Sequence, residues 1–462
     1  MRRWIAFAVV IAVTVTATLW AGTLIGRERE YRRLIADGEA ALSADQHFKA
    51  VEALSGAIAL RPDLMIAHAK RGETYLRLGE PAAALRDLIA AVDLDPSAPR
   101  PIELLGDANM ALERYARAAE RYQEYLALDE LEARVRYKLG LAQYRAGNLP
   151  AAIAALRVAV SNRSRFAEAH YLLGVCLREQ SQLTDAVAAL ERAVALAPGL
   201  MAAREALAEV YLRLERGRDA VVQLEELTAQ DPGRPERHVA VGLAYAAAGM
   251  RDAAVVALRR AAQRFPEQPV VYTALGRVWL EDADQRGGDR IAVKKAIEAL
   301  AAVAAPAAAT SETLTLYGRA LMLDGRVTAA ERAFQRATIR YPVDRSAFLL
   351  LAQSAERLGH VATARDALAQ HMGLTDEASR RPTDAVRVAE LSMRLAEPAV
   401  AVTWIRRALP RCGDDALLLS RLAEVAVRAG DVDSARTAVS KGLAADPASR
   451  SLLALKRRLD GR

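Results

Sequence analysis

Residues 133–166 read ARVRYKLGLAQYRAGNLPAAIAALRVAVSNRSRF, and residues 167–200 read AEAHYLLGVCLREQSQLTDAVAALERAVALAPGL. Laid one on the other, Gly140 falls on Gly174, Ala152 on Ala186 and Ala159 on Ala193, a step of 34 residues. Within the first stretch, Val135, Leu139, Ala142 and Ala146 stand at i, i+4, i+7 and i+11, which is one face of a helix. Ala152, Leu156 and Ala159 mark the apolar face of a second helix. One 34-residue unit therefore encodes two apolar-striped helices. A single pair cannot bury both of its faces, so neighbouring pairs must stack.

The same step extends in both directions. Gly38, Ala50, Ala57 and Pro62 recur as Gly72, Ala84, Ala91 and Pro96, and later as Gly242, Ala254, Ala261 and Pro266. Seven units fill residues 31–268 without an insertion. An eighth, residues 269–310, begins in register at Gly276, but its second half is delayed by eight residues to Ala296 and Leu300. The expected cause is an inserted loop over Glu281–Arg290, around Gly287-Gly288. Units nine to twelve occupy 311–449, with a three-residue slip after Ala364. Small residues at the eighth, twentieth and twenty-seventh positions let paired helices approach closely. Proline at the thirty-second stops the second helix from continuing. The tail 450–462 is expected to be a capping helix with Leu452, Leu453 and Leu455 turned inward.

Period, small residues and proline together resemble the tetratricopeptide repeat (TPR) family, over about nine-tenths of the chain. Tyr75, Tyr211 and Tyr245 stand at that family's aromatic eleventh position. The resemblance implies an all-α fold, an α-solenoid of about 12 helix-turn-helix repeats wound as a right-handed superhelix. Its first helices would line a concave groove through their second, fifth, ninth, twelfth and thirteenth positions.

Composition agrees with a folded helical chain. Of 462 residues, 52% are hydrophobic, 26% charged and 5% aromatic, which excludes an intrinsically disordered protein. Arginine far outnumbers lysine, read as the codon bias of a GC-rich bacterial genome. The formal charge of +7 arises from 64 basic and 57 acidic residues, with no long single-sign block. No nucleic-acid partner is expected from that balance. Two cysteines, Cys176 and Cys412, exclude a disulfide scaffold and a cysteine-rich metal site. They stand about seven units apart, too far to bridge within one solenoid, and are expected to be buried thiols.

Residues 1–30 are different in character. Met1-Arg2-Arg3 precedes an uncharged run from Trp4 to Ile25, and Arg27 to Arg33 follow it. Twenty-two helical residues span ~33 Å, enough to cross a bilayer. The expectation is an N-terminal transmembrane helix, with a signal peptide as the alternative. It places the chain as a single-pass inner-membrane protein, anchored through residues 4–25 and with its bulk in the periplasm.

No glycine-rich phosphate loop, GxSxG, HExxH or CxxC is present, so no enzyme activity, cofactor or metal is expected. His68, His170 and His238 share the fourth position of their units and are expected to be packing residues. What remains is binding. The ninth position is acidic at Glu39, Glu73 and Asp107, basic at Arg277 and Arg319, and acidic again at Glu390 and Glu424. Units four and five place Tyr137 and Tyr171 at the fifth position, with Arg145 and Arg178 further along the same helices and Arg134 close by. The candidate partner-binding residues are therefore Arg134, Tyr137, Arg145, Tyr171, Arg178, Arg277 and Arg319. They would hold an extended peptide by a carboxylate or backbone carbonyl.

The lysine/asparagine clamp by which some TPR proteins hold chaperone tails is not matched by Ile35 and Glu39, Ala69 and Glu73, or Tyr137 and Leu141. The chain also lacks the cysteine-ligated module of a TPR protein of lipopolysaccharide assembly. The reading is of a membrane-anchored scaffold or adaptor for partner proteins in the bacterial envelope. Its alternatives are a periplasmic component of polysaccharide export and a cytoplasm-facing regulatory adaptor.

Overall fold

The computed structural model describes residues 2–376 and 379–461, and in the first helix the side chains of Thr16, Trp20 and residues from 22 onward. Among the described residues there are 25 α-helices, a short 3-10 turn at Leu409–Arg411 and no strand. The chain is an all-α solenoid of paired helices. Two compact halves divide it, residues 1–223 and 224–462. Within each half, a repeat's first helix packs on its own second helix, and that second helix packs on the first helix of the next repeat.

The 34-residue step sets helix length. First helices such as Met65–Arg77, Pro99–Ala111, Ala133–Arg145 and Ala167–Glu179 each have 13 residues. Second helices such as Pro81–Leu94, Tyr115–Leu128, Leu149–Asn162 and Leu183–Leu196 each have 14. Every alanine at the twentieth position, from Ala50 to Ala435, is fully buried. The eighth-position glycines face the residue sixteen places on. A Cβ placed on Gly72 would stand 2.7 Å from Leu88 Cγ, and one on Gly140 2.6 Å from Leu156 Cγ. At Gly318 the neighbour is the Phe334 ring, and at Gly106 it is Tyr122. No carbon sits so close to another without something moving, so the glycine lets the two helices touch backbone to side chain.

The turn between paired helices is equally regular. Its fifteenth position adopts positive φ in every repeat but the eighth, with glycine at Gly79 (76°), Gly147 (78°) and Gly249 (74°) but other residues at Asp45 (60°), Glu113 (57°), Ser181 (61°), Glu215 (58°) and Ala396 (59°). Gly79 N–H donates to the Leu76 carbonyl at 3.1 Å and Glu80 N–H to that of Tyr75 at 2.9 Å. These bonds form a Schellman motif, which uses carbonyls the helix end would leave unpaired.

The irregular eighth repeat adds helix as well as turn. Its first helix runs Pro269–Gln285, 17 residues, and its second Arg290–Ala304, 15 residues. The extra turn buries Asp282 and Ala283. Gly287 and Gly288, at φ 67° and 90°, make the reversal. Gly276 now faces Leu300, twenty-four residues on, so the delay of eight restores the same contact. At the C-terminus, Arg450–Asp460 caps the stack with Leu452, Leu455 and Leu459 buried. Leu453 is only half-buried, because the inward face follows i, i+3 and i+7.

The membrane expectation is corrected. Among the described residues no helix is long and apolar enough to cross a membrane, and this overturns the placement as a single-pass inner-membrane protein. The first helix runs unbroken from Arg2 to Ser43. From Arg27 onward its described side chains are densely charged, and Glu28 pairs at 3.0 Å with Arg61, just past the second helix of the first repeat. Most side chains of the run 4–25 lie outside the described residues.

Candidate functional site

Charged side chains on consecutive first helices pair along each half. A residue at the ninth position reaches the sixth position of the next repeat, 31 residues on, because helical side chains lean toward the helix N-terminus. Asp107 accepts from Lys138 Nζ at 2.7 Å and Glu390 from Arg421 at 2.8 Å, while Glu39 pairs closely with Lys70. Glu73 instead meets Arg100 at 3.1 Å. The acidic band at the ninth position is thus the inner half of an ion-pair ladder between repeats.

The ladder has one dense knot. Glu103 is 1% exposed and accepts from Lys138 Nζ at 2.7 Å, Arg100 Nη1 at 2.9 Å and both terminal nitrogens of Arg134. Burial would raise its pKa, but the bonds from Arg134 and Lys138 outweigh burial and hold it at about 2. Beside it, Tyr122 Oη donates to Asp107 Oδ1 at 2.7 Å. Burial, reinforced by the Asp107 charge, keeps that phenol protonated at any ordinary pH.

The seven candidate binding residues fall into different settings. Arg134 is committed to Glu103, Arg178 to Glu209 at 2.5 Å, Arg277 to Glu312 and Arg319 to Asp284. Tyr137 is half-buried, its ring 5.1 Å from that of Phe166 at a 50° tilt. Its phenol pKa is raised by burial, with smaller effects from Glu168 and Tyr171. Tyr171 is also half-buried. Arg145 is exposed and makes no ion pair or hydrogen bond among the described residues. It follows Tyr137 by eight residues, whereas Arg178 follows Tyr171 by seven, so the two arginines are not equivalent in register. Tyr137, Arg145, Tyr171 and Arg178 share the first helices of repeats four and five. Arg277 and Arg319 belong to the second half of the chain.

Some roles were not read from sequence. Histidine at the fourth position does more than pack. His68 Nε2 lies 3.2 Å from the Pro62 carbonyl, His170 Nε2 3.1 Å from that of Ser164, and His238 Nε2 3.1 Å from that of Pro232. Arg136 and Arg204 donate through Nε to carbonyls the same six residues back, at Glu130 and Pro198. A carbonyl accepts only, so the Nε2–H tautomer holds the inter-repeat turn. The signal was a donor at position four, visible once position thirty-two is known to turn its carbonyl inward. Burial lowers the pKa of His170. The Glu103 knot was legible only as charges 31 residues apart. Among the described residues no group of three or more His, Cys, Asp or Glu side chains could hold a metal.

Family models described as tetratricopeptide repeats match residues 35–99, 104–165, 177–241, 240–267 and 315–379, more than half of the chain. Small glutamine-rich tetratricopeptide repeat-containing protein 2 of Mycosarcoma maydis is 31% identical over 97 residues, which is 21% of this chain and 28% of that relative. The chain therefore matches little more than a quarter of the relative's length. Among solved structures, YrrB, titled a TPR protein with an unusual peptide-binding site, aligns at TM-score 0.37 and 22% identity. The alignment spans 40% of this chain and 96% of YrrB. PilF of Pseudomonas aeruginosa aligns at 0.40 and 18% identity, over 46% of this chain and 96% of that one.

Proposed function

The chain belongs to the tetratricopeptide repeat family, and we propose that it is a non-catalytic scaffold that binds an extended segment of a partner protein along its first helices. The binding patch lies on repeats four and five, at Tyr137, Tyr171, Arg145 and Arg178. The observation that carries this reading is Arg145, an exposed guanidinium without a partner among the described residues on a face where the neighbouring charges are paired. An unpaired arginine two turns along the helix from half-buried Tyr137 offers a bidentate fork for a carboxylate or backbone carbonyl of an extended segment, whose apolar side chain meets the ring surface. Arg178 contributes by exchanging Glu209 for the incoming group. Arg134, Arg277 and Arg319 serve to hold repeats together.

The test is recovery of partner proteins by the full chain against Arg145→Glu and Arg145→Glu/Arg178→Glu. Partner recovery falls roughly tenfold or more on charge reversal if the patch binds, as expected when an interfacial arginine is inverted. Unchanged recovery by the double variant would remove the patch from the binding surface.

A further inference from the structure

A second feature lies away from the first helices. Seven residues, 375–381, join the helix Val361–Leu374 to the helix Pro382–Arg394, where four residues, 61–64, join the corresponding helices near the chain start. At this longer junction a cleft of about 660 Å³ opens between the second helices of repeats ten and eleven. Its floor is apolar, with Met372, Ala385 and Ala408 buried beneath it. Arg380 and Arg381 stand on one wall, and Arg406, Arg407 and Arg411 on the other.

The charge there is incompletely answered. Arg406 meets Asp431 at 3.1 Å, and Arg380 Nε donates to the Thr375 carbonyl at 3.0 Å. Arg407 lies over the Trp404 ring at 4.9 Å. Neither Arg381 nor Arg407 forms an ion pair within 4 Å among the described residues, although Arg381 lies near enough to Asp384 to act on its carboxyl. Arg406 and Arg407 end their helix, where cations favour the carbonyl end of the dipole. That accounts for their presence on the helix but not for Arg380 and Arg381 facing them. The cleft is also far larger than a phosphate needs, and its floor offers an anion nothing.

We propose that this cleft is a second docking site, for an acidic peptide segment whose apolar side chain enters between Trp404 and Met372 while its carboxylates meet Arg381 and Arg407. Charge complementarity selects the occupant. Two guanidinium forks on opposite walls match carboxylates spaced along a chain, and the apolar floor takes the residue between them. The proposal does not depend on the patch at Arg145, because its lining residues come from repeats ten and eleven, in the other half.

The full chain is titrated against a fluorescein-labelled peptide of alternating glutamate and leucine, read by anisotropy. Saturable binding that weakens with added salt is expected, with none for the lysine–leucine peptide. Arg381→Glu/Arg407→Glu weakens it at least about tenfold, while charge reversal at two exposed arginines outside both sites, Arg259→Glu/Arg332→Glu, leaves it unchanged. Arg381→Gln/Arg407→Gln provides the same comparison if charge reversal alters the melting curve. No saturable binding by the unaltered chain, or equal binding by both arginine variants, overturns the proposal. So does displacement by equimolar inorganic phosphate, which makes it a phosphate site, or preferential capture of phosphatidylglycerol vesicles, which makes it a lipid surface.

Discussion

Glu113 and Glu215 occupy a left-handed backbone position that glycine holds in several other repeats. An L side chain there costs about 1–2 kcal/mol of steric strain, partly offset by glycine's larger backbone entropy in the unfolded chain. Glu113→Gly is therefore expected to stabilise the protein by ~0.5–1 kcal/mol, read as a higher urea midpoint with unchanged slope. Glu103 works in the opposite sense. Its carboxylate is depressed to about 2 from an ordinary 4.5, so its contribution is complete above about pH 4.5 and is lost as pH falls toward 2. Glu103→Gln is expected to cost about 1–3 kcal/mol at neutral pH, discounted because Arg100, Arg134 and Lys138 remain partly hydrated. The variant also loses that share of the acid slope. A variant as stable as the parent at pH 7 would show that the knot contributes nothing net. Glycine at position eight and histidine at position four were legible as residues. The partner of each was not, because Leu156 against Gly140 and the Pro62 carbonyl against His68 are set by how the chain closes between helices.

Helices were the most legible elements. Their two lengths follow from apolar stripes, the proline stop and the 34-residue step, all local properties of the chain. What periodicity alone left open was depth of contact. Gly140 faces Leu156 so closely that branching at this point must push the helices apart. Gly140→Val is expected to destabilise by about 1–3 kcal/mol through overpacking, despite the poor helix propensity of the glycine it replaces. Thermal melting by circular dichroism checks it, and an unchanged midpoint would mean the repeat can relax around the new methyls. The eighth repeat shows the limit of reading breaks as loops. Most of its insertion became helix, because the added turn of the first helix buries Asp282 and Ala283.

Across the molecule, neighbour-to-neighbour packing lets one region loosen without the rest. The cysteines report this. Cys176, in the first half, is fully buried, and burial pushes its thiol up to about 12; burial also raises Cys412, in the second half. Neither thiol should react with Ellman's reagent in the folded protein, since the thiolate is the nucleophile. Glu103→Gln, two repeats from Cys176, is expected to speed labelling of Cys176 and leave Cys412 at the parent rate. Equal acceleration at both would show that the array opens as one unit.

The amino-acid sequence by itself determined that the chain is a stack of helical pairs, since a period, an apolar face and a small residue are properties of each segment alone. It also marked the charged positions on the first helices. Which of those charges face solvent was decided only by tertiary structure. Stacking brings the side chains of one first helix against those of the next, so Arg134, Arg178, Arg277 and Arg319 are drawn into ion pairs while Arg145 is left exposed. The cleft beneath Arg381 and Arg407 likewise exists only where a lengthened junction meets two second helices. A distance between repeats cannot be read from either repeat alone.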